Sequence, residues 1–252
     1  MEIPNSSSSA NKANGAVGGV VDRQVVYVWD LAIRLTHWIN VFAILILSLT
    51  GYFIYSPFME GRGEATNQYL MGTIRFVHFA TAFVFAVNVL FRIYWSFAGT
   101  KYARWHQFVP TSRSRLRGLG RMLRYYSFLR REPPPQVGHN PLAGLAYTAI
   151  HILFVIQIFT GFALYSLAYR TGFWPSTFGW VNLLMGTPLV RLVHDIVMWL
   201  IIAFTIHHVY SGILLEIEER SGLLGSIVTG YKSLTPNHIY ESDTANLPKK
   251  KP

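Results

Sequence analysis

Six of the chain's nine histidines, His37, His78, His151, His194, His207 and His208, fall inside long apolar runs of sequence. An ionisable side chain within a bilayer is costly, so it faces the bundle interior and finds a partner there. Neutral imidazole is also a standard axial ligand of haem iron. A single such histidine is equally well explained by a hydrogen bond between helices, so the arrangement of several must separate the two chemistries. If the runs are helices crossing a membrane in alternating directions, His37 near the start of the first shares a depth with His208 near the end of the fourth. His78, near the start of the second, shares the opposite depth with His194, near the start of the fourth. Two layers of two imidazoles each meet the ligand requirement of two bis-histidine haems b.

Helical geometry sharpens the choice within the last run. Fourteen residues at about 100° each return to within ~40° of the starting direction and rise ~21 Å, so His194 and His208 face one side at different depths. His207 points away by roughly 140° and is expected at a helix–helix or lipid contact. His151, about nine residues into the third run, is expected to make a polar contact and not to ligate. Arginine supplies a further regularity. Arg34-Leu-Thr-His37, Arg75-Phe-Val-His78 and Arg191-Leu-Val-His194 repeat one Arg-x-x-His pattern. Residues i and i+3 lie on one helix face, each Arg displaced toward the nearer aqueous surface, where a haem standing edge-on would direct its propionates for pairing with guanidinium. A snorkelling interfacial Arg is the plainer alternative, but three recurrences beside the candidate ligands favour propionate partners.

The elements that must carry these residues are four spans at about 30–55, 70–97, 142–168 and 189–215, each long enough for a hydrocarbon core that needs about 20 residues. They are too long for barrel strands and lack period-2 alternation. The expected fold is therefore all-α, an integral membrane four-helix bundle over residues 25–222. Residues 1–24, rich in Ser, Asn and Gly, read as a disordered polar tail without the apolar core of a secretory signal, and 223–252 as a C-terminal tail. The loop at 98–141 holds nine Lys or Arg between Lys101 and Arg131, whereas the loops at 56–69 and 169–188 carry one Arg each, Arg62 and Arg170. The positive-inside rule then places both termini and the basic loop in the cytoplasm. That rule also accounts for the net charge of +10 without a nucleic-acid partner. Around 113–130, Leu116, Leu119, Met122 and Leu123 recur among arginines as in an amphipathic surface helix. With no cysteine in the chain, disulfides, iron–sulfur clusters and covalently attached c-type haem are excluded.

Two smaller features complete the pattern. Thr50-Gly51 and Thr160-Gly161 each precede a Tyr-Ser pair at the same offset, Tyr55-Ser56 and Tyr165-Ser166. Small residues let helices, or a flat macrocycle, approach closely, and chance similarity is the alternative to a relation between spans one and three. His139-Asn140-Pro141 leads into the third span, with Asn140 suited to an N-cap and Pro141 to the first helical position.

Arg34-Leu-Thr-His37-Trp38 followed by Leu49-Thr50-Gly51, and Arg191-Leu-Val-His194 followed by Trp199, Phe204 and His208, resemble the b-type cytochrome subunit of membrane-bound nickel–iron hydrogenases. The likeness covers roughly residues 25–220, and formate dehydrogenase cytochrome b subunits share the fold. The resemblance implies axial ligation by His37, His78, His194 and His208, and a multi-pass place in the bacterial inner membrane. It implies electrons arriving from the iron–sulfur clusters of a hydrogenase small subunit, through which the large subunit is also held, and leaving to a membrane quinone. Entry would be at the His78/His194 haem and exit at the His37/His208 haem, with His139 and Asn140 near the quinone and no hydrogen-activating site on this chain. The competing readings are a cytochrome b of another quinone-linked dehydrogenase, such as one acting on formate, a histidine-lined proton or metal transporter, and a haem-free anchor.

Overall fold

A computed structural model describes residues 24–58, 69–100, 102–105, 108–109, 113–127, 129 and 141–234. Four helices in it are long and apolar enough to cross a membrane: α1 (Leu31–Tyr55), α2 (Leu70–Ala98), α4 (Pro141–Ser166) and α6 (Thr187–Glu219). Between α2 and α4 lies α3 (Arg113–Tyr126), within the stretch read as an amphipathic helix. Pairing is by hairpin, α1 along α2 and α4 along α6, and the two hairpins touch mainly through α2 and α4.

The four spans share one apolar centre. Ala43 of α1, Phe85 and Val89 of α2, Ile150 and Phe154 of α4, and Val197 and Ile201 of α6 are all buried in it. In α6 these residues sit between His194 and His208, so an apolar zone separates the histidine layers. The four spans run through this zone as unbroken helices, unlike the broken helices of many transporters. One polar strut crosses its edge: Asn88 donates from Nδ2 to Thr36 O at 2.9 Å and to Asn40 Oδ1 at 2.8 Å, tying α2 to α1 one residue before His37.

Two parts of the chain are more ordered than the sequence reading expects. The loop expected at 169–188 contains α5 (Phe173–Met185), which packs along α4. At ~20 Å it is short for a span. Its Asn182 donates to Ala163 O at 2.6 Å, and Val181 joins Ala163 and Val190 in a small core. Gly186, at φ 79°, turns the chain directly into α6, whose second residue is Pro188. The stretch expected as a tail from 223 contains α7 (Leu223–Thr229) and β2 (Tyr231–Leu234). Strand β2 pairs antiparallel with β1 (Gln24–Tyr27), from Gln24 opposite Leu234 to Tyr27 opposite Tyr231. Gln24, the last residue of the expected N-terminal tail, is therefore a ladder residue; residues 1–23 and 235–252 lie outside the described residues.

This ribbon closes the end of the bundle that carries His37 and His208. Trp29 donates from Nε1 to Ser226 Oγ at 2.9 Å and packs with Val28, Ile33 and Ala103; Lys232, almost wholly buried, lies over the Trp29 ring. Asp30 joins these pieces. It caps α1 by accepting from Ile33 N at 2.9 Å, and its second oxygen accepts from Trp95 Nε1 at 3.0 Å and Thr100 Oγ1 at 2.9 Å. Asp30→Ala removes a cap worth about 1 kcal/mol and strands two donors, which adds about 1–3 kcal/mol. A lower melting temperature of the detergent-purified protein, with its haem content per folded chain unchanged, is the expected result.

Candidate haem-binding centre

The bundle brings the sequence-selected histidines together in two groups. His37 of α1 and His208 of α6 meet with ring centres 6.3 Å apart and planes inclined by 56°. Two imidazoles sharing one metal at the usual nitrogen–metal bond of about 2 Å have ring centres about 6–6.5 Å apart. The pair therefore leaves room for a single iron between the rings. Phe204 stacks on His208, with centroids 5.8 Å apart and planes inclined by 6°, and Trp38 stands edge-on to His37 at 5.6 Å. The Nδ1 of His37 is buried without a hydrogen-bond partner among the described residues, whereas Tyr147 OH lies 3.3 Å from His208 Nδ1.

At the other layer, His78 of α2 and His194 of α6 are each held by a threonine of the neighbouring helix. Thr50 Oγ1 lies 2.9 Å from His78 Nδ1, and Thr160 Oγ1 lies 2.9 Å from His194 Nδ1. The glycine after each threonine makes room for the ring. A Cβ on Gly51 would stand 3.3 Å from His78 Cε1, and one on Gly161 would stand 3.1 Å from His194 Cε1. Thr50 is thirteen residues beyond His37 on α1, so the two layers are ~20 Å apart along the helix.

The His37 and His208 rings are spaced for one shared metal as they stand; in the other layer His194 has a competitor. Gln157 donates from Nε2 to His194 Nε2 at 3.2 Å, on the nitrogen that an iron would take, and its own Oε1 is buried without a partner. A loaded site needs the Gln157 amide to swing aside, which also releases that stranded oxygen. The chemistry of the four imidazoles suits haem iron, with ring spacing for one metal seen at His37 and His208. No cluster of three or more His, Cys, Asp or Glu suited to a bare metal ion occurs among the described residues, and a haem needs only two axial groups.

Two further histidines lie among the described residues. His207 is exposed, with Ser211 Oγ 2.8 Å from its Nδ1. His151 donates from Nδ1 to Tyr147 O at 2.6 Å, a local polar contact. Of the three arginines expected beside the ligands, Arg75 and Arg191 are exposed, and Arg191 has Asp195 as an electrostatic neighbour one turn on. Arg34 instead donates from Nη1 to the Val228 carbonyl of α7, a partner no spacing along one helix could reveal. His139 and Asn140, the expected quinone residues, lie outside the described residues.

Sequence reading missed several members of the centre. The two threonines stood out only as a repeated Thr-Gly pair, and their histidine partners are 28 and 34 residues away. Arg92 was not singled out, yet it is only 8% exposed and lies with its guanidinium 5.1 Å over the Phe108 ring. Among the described residues it has no hydrogen-bond partner. It sits fourteen residues beyond His78, at the depth of His37 and His208, beside His151. A buried intramembrane arginine is the signal that could have found it.

Comparison with known proteins identifies the family. Residues 28–230 match the family model described as prokaryotic cytochrome b561. The chain is similar to a "Probable Ni/Fe-hydrogenase B-type cytochrome subunit" of Cupriavidus necator, 39% identical over 237 residues covering 92% of this chain and 97% of that one. A protein of the same description from Bradyrhizobium diazoefficiens is 37% identical, covering 83% of this chain and 87% of its own. A "Probable Ni/Fe-hydrogenase 1 B-type cytochrome subunit" of Escherichia coli is 37% identical, covering 82% and 90%.

Proposed function

The chain belongs to the prokaryotic cytochrome b561 family, and from that membership we propose that it is the two-haem membrane subunit of a nickel–iron hydrogenase, carrying electrons from that enzyme's iron–sulfur chain to membrane quinone. It is a multi-pass protein of the bacterial inner membrane, built on four apolar spans. The observation that carries the reading is the meeting of His37 and His208, 171 residues apart in sequence, across a gap fitted to one metal. Haem b, when bound, supplies reversible one-electron chemistry.

The chain's own residues do the rest. His37 and His208 hold one haem, and His78 and His194 hold the other; Arg75 and Arg191 are exposed and available to propionates, and Arg34 keeps donors beyond the one given to Val228 O. The apolar centre between the layers keeps water and ions from crossing with the electrons. At the His37/His208 end, Arg92 and Tyr147 are donors that could meet a quinone's oxygens, alongside His139 and Asn140. The basic loop places that end at the cytoplasm by the positive-inside rule, so protons for quinone reduction come from inside, and the hydrogenase docks outside. The hydrogenase assignment is supported by the names of the relatives.

Affinity purification in mild detergent with metal analysis tests the partner. Nickel and iron in the captured complex are expected. Molybdenum or tungsten in place of nickel would end the hydrogenase assignment and favour a formate-type dehydrogenase, leaving the haem reading untouched.

A further inference from the structure

Each hydroxyl that faces a histidine in the His78/His194 layer has one proton, and that proton is already given away. Thr50 Oγ1 donates to Ile46 O at 2.7 Å, and Thr160 Oγ1 donates to Ile156 O at 2.8 Å. Toward the rings the two hydroxyls can therefore only accept. His78 and His194 must carry their protons on Nδ1, which leaves both Nε2 atoms bare for a metal. The contact at the far side of His194 agrees, since the Gln157 amide donates to that bare Nε2. The device is built twice, once in each hairpin, each time as Thr-Gly on one arm with the glycine making room for the ring.

Among the described residues the other layer has no such short threonine contact. His37 Nδ1 has no partner among the described residues, and the Tyr147 hydroxyl stands 3.3 Å from His208 Nδ1, beyond the usual range for a strong hydrogen bond. The difference has a redox consequence. A hydrogen bond accepted from Nδ1–H pushes electron density toward Nε2 and makes the imidazole a stronger base. A more basic axial ligand favours the more highly charged ferric iron, and hydrogen bonding around the ligands is one of the means by which a protein sets a haem's potential.

We propose that Thr50 and Thr160 are positioning residues that fix the Nδ1–H tautomer of His78 and His194 and hold that haem site at a lower reduction potential than the His37/His208 site. The proposal rests on the two-haem reading above and adds to it an order: electrons run downhill from the His78/His194 layer to the His37/His208 layer. The threonines touch no haem in this scheme and act through the histidines.

A redox titration of the purified complex, followed in the visible haem bands, tests it. The unmodified protein should show two one-electron waves, and His78→Ala should remove the more negative one. Thr50→Val and Thr160→Val keep the side-chain shape and delete the acceptor. Each should move only the more negative wave upward, by roughly a tenfold change in the ferric-to-ferrous ratio, or ~59 mV. Thr50→Ser and Thr160→Ser should leave it near its original place. If His78→Ala removes the more positive wave, or the valine variants load both haems with neither wave moved, the proposal fails while the two-haem reading stands. No low-spin haem in the unmodified protein would overturn both. If a valine variant does not load its haem, the His78→Ala assignment decides the order alone, and serine variants that also lose the haem count against the threonines' role.

Discussion

In His37→Ala the purified protein is expected to keep one low-spin haem of its two, and adding His208→Ala should remove nothing more. A haem held between two axial imidazoles loses its low-spin state when either is missing. The two substitutions therefore act on one object and cannot add, as groups sharing a single interaction fail to add. The 6.3 Å approach of the two rings is the basis for this pairing. His78→Ala and His194→Ala should behave in the same way toward the other haem. The crossed combination, His37→Ala with His78→Ala, should lose both. Low-spin α-band absorbance per protein, with total haem from pyridine haemochrome assays, on the four single and three double variants would read the whole scheme. Additive loss from His37→Ala and His208→Ala would mean that each serves a different haem.

The second large effect is expected at a glycine. Gly161→Val should eliminate the His194 haem and leave the other in place, halving the ratio. The first added carbon already stands 3.1 Å from His194 Cε1, tighter than ordinary contact, and the two further methyls of valine have to displace the ring. The ring cannot simply slide, because its Nδ1 is held at Thr160, the neighbouring residue on the same helix. Overpacking of this kind costs about 1–3 kcal/mol in a closed core, and here the cost falls on ligand geometry. Gly51→Val should act likewise on His78, more mildly. Its one tight contact is 3.3 Å to His78 Cε1, and Met198 Sδ at 3.5 Å is in ordinary contact and can yield. Gly72, with open space where its Cβ would be, is the control, and Gly72→Val should keep both haems.

Much of this was legible in the sequence because it depends on local rules. Apolar length marks a span, rise per residue sorts histidines by depth, and rotation separates exposed His207 from inward His208. What was not legible depends on contacts between distant segments. The four residues Gln24–Tyr27 are too short a run to announce a strand, and their partner lies more than 200 residues on. Arg34 fits a propionate by its place on α1 but donates to Val228 O because α7 folds back over that end. Phe173–Met185 sits in a stretch opened and closed by Gly172 and Gly186 and containing Pro175, so it read as a loop; packing on α4 makes it a helix. The Thr-Gly repeat lay between these cases. Its recurrence was visible, but its purpose appeared only once each hydroxyl was found beside a histidine of the neighbouring helix.

The most direct test of the account is the reduced-minus-oxidised spectrum of the protein purified in mild detergent, with haem quantified per chain. A low-spin b-type spectrum with about two haems per chain, the number supplied by two bis-histidine pairs, is the predicted result. A chain that folds and inserts but carries no low-spin haem would contradict it.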